Sequence, residues 1–478
     1  MRRVDRRSAC GAVSAGRAAG VPGREDHGGG RLPADQREKS GALRRGRRYA
    51  AMRKCVIFDL DGTLTRSEEG IWNSVKYAAE KLGFPEPDAQ TLRRFIGPPL
   101  GYSFREYMGM DDAMAEKAVE TYRERYNVVG LFENRVFPGI RRLLRTLKQE
   151  GWYIAVATGK PQRTSERVIA HFGLDRFFEK ICGPEFGHHA DKTELIRRAL
   201  PDDWDAQADE VWMVGDRKFD VEGAIGVGVK SIGVGYGYGS EEELREAGCT
   251  AYCAAVQDVI DLLCPGAQPP QGAFLSIEGL DGSGKGTQLR LLTDVIDRFG
   301  FELQLSREPG GCAISEKLRE IILDKNNAEM DDVTEALLYA ASRAQHVRQV
   351  IRPAVAAGRV LLCDRFVDSS VAYQGGGRQL GVQRVLEINA PAVDGTMPMA
   401  TIYLDVDHET SMARRAAATE LDRLELAGDS FHARTEAGYR ELIRQDPERF
   451  IVVDATRAPE EIGGEIAEKV IRRLMEAE

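Results

Sequence analysis

No run of about 18 apolar residues occurs anywhere in the chain, which excludes a helix that spans a bilayer. Cysteine is sparse and scattered: there are eight in 478 residues, and only Cys249 and Cys253 lie close together. No histidine stands near that pair at metal-finger spacing, so neither a disulfide framework nor a zinc site is expected, and the thiols read as reduced and buried. Residues 1–51 hold 13 Lys+Arg against 5 Asp+Glu but no interleaved aromatics, so they lack the signature of a nucleic-acid-binding arm and read as a disordered basic extension. They also lack the apolar stretch of a signal peptide. Met52 stands just before the first strand, and the segment reads as an extension upstream of the true start. No membrane or nucleic-acid partner is expected, and the expected location is cytoplasmic.

What the sequence does contain is a soluble globular composition, 42% hydrophobic and 29% charged. At roughly 150 residues per domain its length allows about three units, here two large and one small. The clearest boundary is residues 265–272, where three prolines and two glycines in eight positions exclude helix and central strand. On either side, short Val/Ile/Leu-rich runs alternate with longer amphipathic stretches, the pattern of βα units on a parallel sheet. The expected division is an extension 1–51, a first α/β domain 52–264, a link 265–272 and a second α/β domain 273–478. The halves share no motif, so no internal repeat is read.

In the first half, Val56-Ile57-Phe58 runs into Asp59-Leu60-Asp61-Gly62-Thr63, which puts two carboxylates at the carboxyl end of a strand, where open α/β sheets bind ligands. Alternation points Asp59 and Asp61 the same way, and like charges so close need a cation or a shared proton; Mg²⁺ meets that need. Three further strand ends add Thr158, Lys192, and Asp216 with Asp220. A hydroxyl and a lysine can neutralise phosphoryl oxygens, and the further carboxylates can hold a metal. These four motifs in order resemble the haloacid dehalogenase-like phosphatases.

The resemblance implies that Asp59 attacks phosphorus, Asp61 protonates the leaving group and later activates water, and Thr158 and Lys192 bind phosphoryl oxygens. It further implies a Mg²⁺ site of Asp59, Asp61, Asp216 and Asp220, and a helical cap over about residues 66–136. Phe95-Ile96-Gly97-Pro98-Pro99 and Val136-Phe137-Pro138-Gly139 resemble the phosphoglycolate phosphatase and 5′-nucleotidase branch, so the implied substrate is a small phosphomonoester. The opposing reading is a non-catalytic regulatory module, against which the intact Asp59 and Asp61 argue.

In the second half, the strand Phe274-Leu275-Ser276-Ile277-Glu278 leads into Gly279-Leu280-Asp281-Gly282-Ser283-Gly284-Lys285-Gly286-Thr287, followed by an amphipathic helix. Glycines let backbone N–H groups turn onto phosphates, the helix N-terminus adds its positive end, and Lys285 can reach the β and γ oxygens of ATP. Gly286 stands where the strict P-loop pattern has Ser or Thr, with Thr287 one residue later. No basic residue occupies the variable loop positions, so charge in the transition state must be met from Arg414, Arg415 or Arg423.

Arg307-Glu308-Pro309-Gly310-Gly311, Ser342-Arg343-Ala344-Gln345-His346, Asp364-Arg365-Phe366 with Ala372-Tyr373-Gln374-Gly375, and Leu421-Asp422-Arg423 resemble the thymidylate kinases over residues 272–474. The resemblance implies ATP as donor and dTMP as acceptor. Arg365 would hold the acceptor phosphate and Arg343 the thymine ring. Asp281 and Glu308 would lie near the sugar and metal, and Tyr373, beside Gln374, would crowd the 2′ position. It also implies a homodimer and an Arg-containing lid, although Ala416, Ala417 and Ala418 stand where such lids often carry arginine. His346 reads as a packed helix residue. The alternative here is another nucleoside monophosphate as acceptor.

Overall fold

The computed structural model describes residues 53–185, 191–206, 209–415, 423–424 and 428–478. Two parallel sheets form in separate parts of the chain, and their central strands read as nearly continuous apolar runs because both faces are covered. The first has the order β5-β4-β1-β6-β7-β8, from β1 (Lys54–Phe58), β4 (Tyr153–Ala157), β5 (Lys180–Cys182), β6 (Glu210–Gly215), β7 (Lys230–Val234) and β8 (Ala251–Cys253). A two-stranded antiparallel ribbon, β2 (Thr65–Arg66) with β3 (Arg135–Val136), stands above it. Between these two short strands the chain forms four helices, from Glu68–Lys81 to Asp112–Arg125, and a π-helical turn, Tyr126–Gly130.

The second sheet has the order β10-β11-β9-β12-β13, from β9 (Ala273–Gly279), β10 (Leu303–Arg307), β11 (Val360–Asp364), β12 (Ala400–Asp405) and β13 (Phe450–Asp454). In each sheet the chemistry-bearing strand is central: β1 lies between β4 and β6, and β9 between β11 and β12. Residues after those strands therefore emerge where neighbouring strand ends can supply partners from both sides. The seven cysteines among the described residues are all free and five are buried, as the sequence suggested.

The stretch 265–272 has neither helix nor strand, yet it is pinned: Gly272 N donates to Val355 O and Arg145 Nη2 to Gln271 O. Ala51–Glu478 form one compact unit. The two sheets are joined there by a polar seam. Arg141, 2% exposed, donates to Phe299 O at 2.6 Å, to Glu478 Oε2 at 2.5 Å and to Phe172 O. Arg135 of β3 reaches Asp294 at 3.0 Å and Asp297 at 3.4 Å on the helix Lys285–Arg298, and Arg142 pairs with Glu302 at 2.9 Å. A Cβ on Gly300 would stand 2.5 Å from Val136 Cγ1, so glycine is needed where the two parts touch.

Candidate active sites

At the carboxyl end of the first sheet a cavity of about 610 Å³ brings together Asp59, Asp61, Thr158, Lys160, Lys192 and Asp220, with Phe95, Tyr122 and Tyr126 from the helical stretch between β2 and β3 as a further wall. Lys192 begins the helix Lys192–Ala199, and its Nζ lies 2.7 Å from Asp59 Oδ1, 2.7 Å from Asp220 Oδ1 and 2.9 Å from Ala157 O. Asp216 is wholly buried beneath. Thr63 Oγ1 donates to it at 3.1 Å and Tyr238 N at 2.8 Å. Gly62, at φ +87°, lets the loop pass over it; a Cβ there would stand 2.2 Å from Asp216 Oδ2. Thr158 is buried, with its hydroxyl accepting from Lys160 N at 3.2 Å.

Carboxylate oxygens of Asp59, Asp216 and Asp220 lie within 4.8 Å of one another. Burial, with Asp220 and Asp61 adding to it and Lys192 opposing, pushes Asp59 up to about 6. Burial with the charges of Asp220 and Asp59 pushes Asp216 up to about 7. Lys192 pairs with two of these three buried carboxylates, Asp59 and Asp220, and an all-oxygen donor set with unbalanced negative charge fits a hard divalent cation such as Mg²⁺. The carboxylate of Asp61, expected in the same set, stands outside it: Lys160 Nζ donates to Asp61 Oδ2 at 2.6 Å and to the Tyr126 hydroxyl at 2.9 Å. The sequence reading missed Lys160 and Tyr126, although Lys160 follows the strand-end Thr158 by two residues. Nothing in the sequence pointed to Tyr126, which comes from the cap.

At the carboxyl end of the second sheet, Gly279, Gly282 and Gly284 take φ of 148°, 89° and 96°, conformations open to glycine, and so shape the turn between β9 and its helix. Gly284 is the N-cap of Lys285–Arg298. Leu280 and Ser283 are buried in the loop, whereas Gly286 and Thr287 lie on the first helical turn. Lys285 Nζ folds back onto the Gly279 and Leu280 carbonyls at 3.0 and 2.9 Å. Burial and the Arg365 charge bring its ammonium down to about 8, against the pull of Asp281.

Beside the loop a cavity of about 360 Å³ is lined by Asp281, Lys285, Glu308, Arg343, Arg365, Tyr373 and Gln374 among others. Arg365 follows β11 in a left-handed conformation, φ 68°, and turns its guanidinium to Asp281 Oδ1 (2.5 Å), Ser369 Oγ (3.1 Å) and the Tyr373 hydroxyl (3.2 Å). The Tyr373 hydroxyl donates in turn to Asp281 Oδ2 at 3.0 Å. Burial would raise Asp281, but Arg365 and Lys285 hold it well below the usual carboxylate range.

Of the five N–H groups of Arg343, Nε donates to Glu308 Oε2 (2.7 Å), Nη1 to Ser370 Oγ (3.1 Å) and Asn389 Oδ1, and Nη2 to Phe366 O (3.1 Å). One Nη2 proton remains. Gln374 donates to Glu335 Oε1 at 2.8 Å. A further group missed in the sequence is Glu278, the fully buried carboxylate next to last in β9. It accepts from Phe366 N, Ser369 Oγ and the Tyr439 hydroxyl, the last two of which touch Arg365.

Three expectations change in place. Both oxygens of Glu308 are engaged, Oε2 by Arg343 and Oε1 by His346, so its carboxylate faces the arginine that lines the cavity rather than a metal. Arg423, expected in the lid, pairs with the buried Glu335 at 2.7 Å and donates to Ile322 O. Arg414 is exposed and donates to Ala455 O at 2.8 Å, and it does not line the cavity beside the loop. The Arg415 side chain and residues 416–422, the rest of the expected lid, lie outside the described residues.

The thymidylate kinase family model matches residues 277–466, and that of the haloacid dehalogenase-like hydrolases matches residues 56–234. A thymidylate kinase of Geobacillus thermodenitrificans is 46% identical over 205 residues, spanning 42% of this chain and 91% of its own. A 5′-nucleotidase of Pseudomonas aeruginosa is 49% identical over 200 residues, spanning 42% of this chain and 90% of its own. Among solved structures, a putative phosphatase from Clostridium difficile aligns with TM-score 0.42 at 39% identity, covering 45% of this chain and all of that one. With a P-loop beside a guanidinium-lined cavity in one half and a lysine-braced carboxylate cluster in the other, the chain belongs to the thymidylate kinase family through its C-terminal half and to the haloacid dehalogenase-like hydrolases through its N-terminal half.

Proposed function

We propose that residues 273–478 transfer the γ-phosphoryl group of ATP to dTMP, giving ADP and dTDP, and that residues 52–264 hydrolyse a nucleoside monophosphate other than dTMP. The observation that carries the kinase reading is the single cavity shared by Lys285, Arg365, Arg343 and Tyr373. Arg365, a planar and permanently charged fork, grips the acceptor phosphate. The remaining Nη2 proton of Arg343 suits a base carbonyl and opposes a base amino group. The Tyr373 ring crowds the 2′ position, and its hydroxyl holds Asp281 under the sugar. The loop amides and Lys285 hold the donor phosphates in line with the acceptor, so that alignment and charge neutralisation do most of the work.

In the phosphatase half, Asp59 attacks phosphorus and the bond to the leaving oxygen breaks as Asp61 hands it a proton. Asp61 then takes a proton from the water that cleaves the aspartyl-phosphate. Thr158 and Lys192 hold the phosphoryl oxygens, and Lys160 with Tyr126 holds the Asp61 carboxyl at the mouth of the cavity. Asp59, Asp216 and Asp220 would hold a Mg²⁺ ion, which when bound would add to the neutralisation of the phosphoryl charge. The volume of about 610 Å³ and the rings of Phe95, Tyr122 and Phe219 suit a nucleotide better than a two-carbon acid, and the similar Pseudomonas protein bears the name 5′-nucleotidase. A phosphatase that accepted dTMP would drain the kinase substrate.

The proposal extends to a cytoplasmic homodimer formed through the kinase half, where Ile314, Ile321 and Leu337 are exposed on neighbouring helices; equilibrium sedimentation measures it. The functional test is ADP release from ATP with dTMP, dUMP, AMP, CMP and GMP in turn, alongside phosphate release from the same compounds without ATP. Preference of ADP release for dTMP, lost in Lys285→Ala, is the expected result. Equal turnover of dTMP by the phosphatase half of Lys285→Ala would refute the division of substrates.

A further inference from the structure

We infer that Ser306, His346 and Glu308 form a hydrogen-bonded relay that fixes the orientation of Arg343 and thereby sets which base the kinase half accepts. This rests on the reading of Arg343 as the group that meets the base.

Ser306 lies in β10, Glu308 in the loop that follows, and Arg343 and His346 on the helix Asp332–His346. The last two are three residues apart and so share a face of that helix. Ser306 Oγ stands 2.6 Å from His346 Nε2, His346 Nδ1 stands 2.9 Å from Glu308 Oε1, and Glu308 Oε2 accepts from Arg343 Nε at 2.7 Å. His346 is 0% exposed, Arg343 1% and Glu308 4%, so water cannot replace the links among these three, while Ser306 at the outer end is half-buried. A carboxylate only accepts, so Nδ1 carries a proton. In the neutral imidazole Nε2 then accepts from the Ser306 hydroxyl, and the Arg343–Glu308 pair is left as a balanced ion pair.

Gly311, at φ +82°, seals the relay: a Cβ there would come within 2.6 Å of both Ser306 Oγ and His346 Nε2. Ser306 is not among the residues that line the neighbouring cavity, and the likeness to a hydrolytic triad is one of spacing alone. What the chain does is limit the rotation of Glu308. With one oxygen tied to the imidazole, the other is held where Arg343 Nε must meet it, and Ser370, Asn389 and the Phe366 carbonyl fix the remaining nitrogens. The plane of the guanidinium, and with it the direction of the one remaining N–H, is set from behind. A buried ion pair is a poor source of stability against an apolar replacement, but it is a good device for holding one geometry.

The test uses the full chain with His346→Leu, His346→Asn and Ser306→Ala, with folding checked by circular dichroism. His346→Leu removes the donor to Glu308 and keeps the bulk. It is expected to raise KM for dTMP about tenfold and to narrow the preference for dTMP over dCMP by a similar factor, with kcat and KM for ATP held within about twofold. His346→Asn, whose amide nitrogen replaces Nδ1, is expected to restore most of the loss, and Ser306→Ala to show the same pattern at about threefold.

Unchanged KM and base preference in folded His346→Leu or Ser306→Ala overturns the inference, as does a loss spread equally over dTMP, ATP and kcat. Should His346→Leu fail to fold, Ser306→Ala decides alone. A wild-type protein that does not phosphorylate dTMP refutes the functional reading instead, before any variant is compared.

Discussion

Arg365 carries two roles that substitution can separate, because its backbone is left-handed at φ 68° while its guanidinium holds Asp281. An ordinary side chain in that conformation costs about 1–2 kcal/mol, and glycine escapes it. Removing the guanidinium leaves Asp281, its side chain 28% exposed, with Lys285 at 4.0 Å as its nearest cation. The loss is about 2–3 kcal/mol, below the roughly 3–5 kcal/mol of a fully buried pair. That loss is common to Arg365→Ala and Arg365→Gly. The glycine variant is therefore expected to be the more stable by about 1 kcal/mol, the reverse of the usual order, while both lose acceptor binding alike.

For a part of this size the gap amounts to about 2–4 °C in melting temperature. All four tryptophans, Trp72, Trp152, Trp204 and Trp212, lie in the N-terminal half, so their fluorescence serves as an internal control while circular dichroism follows the whole chain. An alanine variant as stable as the glycine variant, or more so, would refute the argument from backbone strain.

Three other outcomes are expected. Asp59→Asn abolishes phosphate release and leaves ADP release intact, and Lys285→Ala does the opposite, as paired assays on one preparation would record. Mg²⁺ affinity of the phosphatase half, measured by titration calorimetry, rises from pH 5 to pH 8: Asp59 and Asp216, pushed up to about 6 and about 7, hold protons at the lower pH and must release them to bind the metal. Because Lys285 is brought down to about 8, the free kinase loses that positive charge as pH rises above 8, and kcat/KM for ATP is expected to fall there, whereas a flat profile to pH 9.5 would refute it.

The groups that emerge directly from a central strand were legible in the sequence, since a buried apolar run ending in Asp59 or in the Gly279–Thr287 loop fixes both place and direction. Groups that act through distant partners were not. Lys160 meets Asp61 across 99 positions, and Glu308 meets Arg343 across 35. No local pattern encodes either pairing. Arg423 illustrates the limit of reading charge by itself: an arginine in an expected lid is equally able to be a buried partner, and only the presence of Glu335 beside it decides. The π-helical turn Tyr126–Gly130 left no periodic signal either, although it carries the Tyr126 hydroxyl to Lys160.

The polar seam bears on how interchangeable the halves are. The proline-rich stretch invites treatment as a cut point between two cassettes, yet the helix that begins at Lys285 ends against the cap-bearing ribbon, and Arg141 finds its partners in Phe299, Glu478 and Phe172. A chimera joined at residues 265–272 to a foreign kinase half without acidic residues at the positions of Asp294, Asp297, Glu302 and Glu478 would strand a buried guanidinium, at a cost of several kcal/mol. The working boundary for recombination is therefore a surface, matched charge by charge, and a successful transplant has to carry that surface with it.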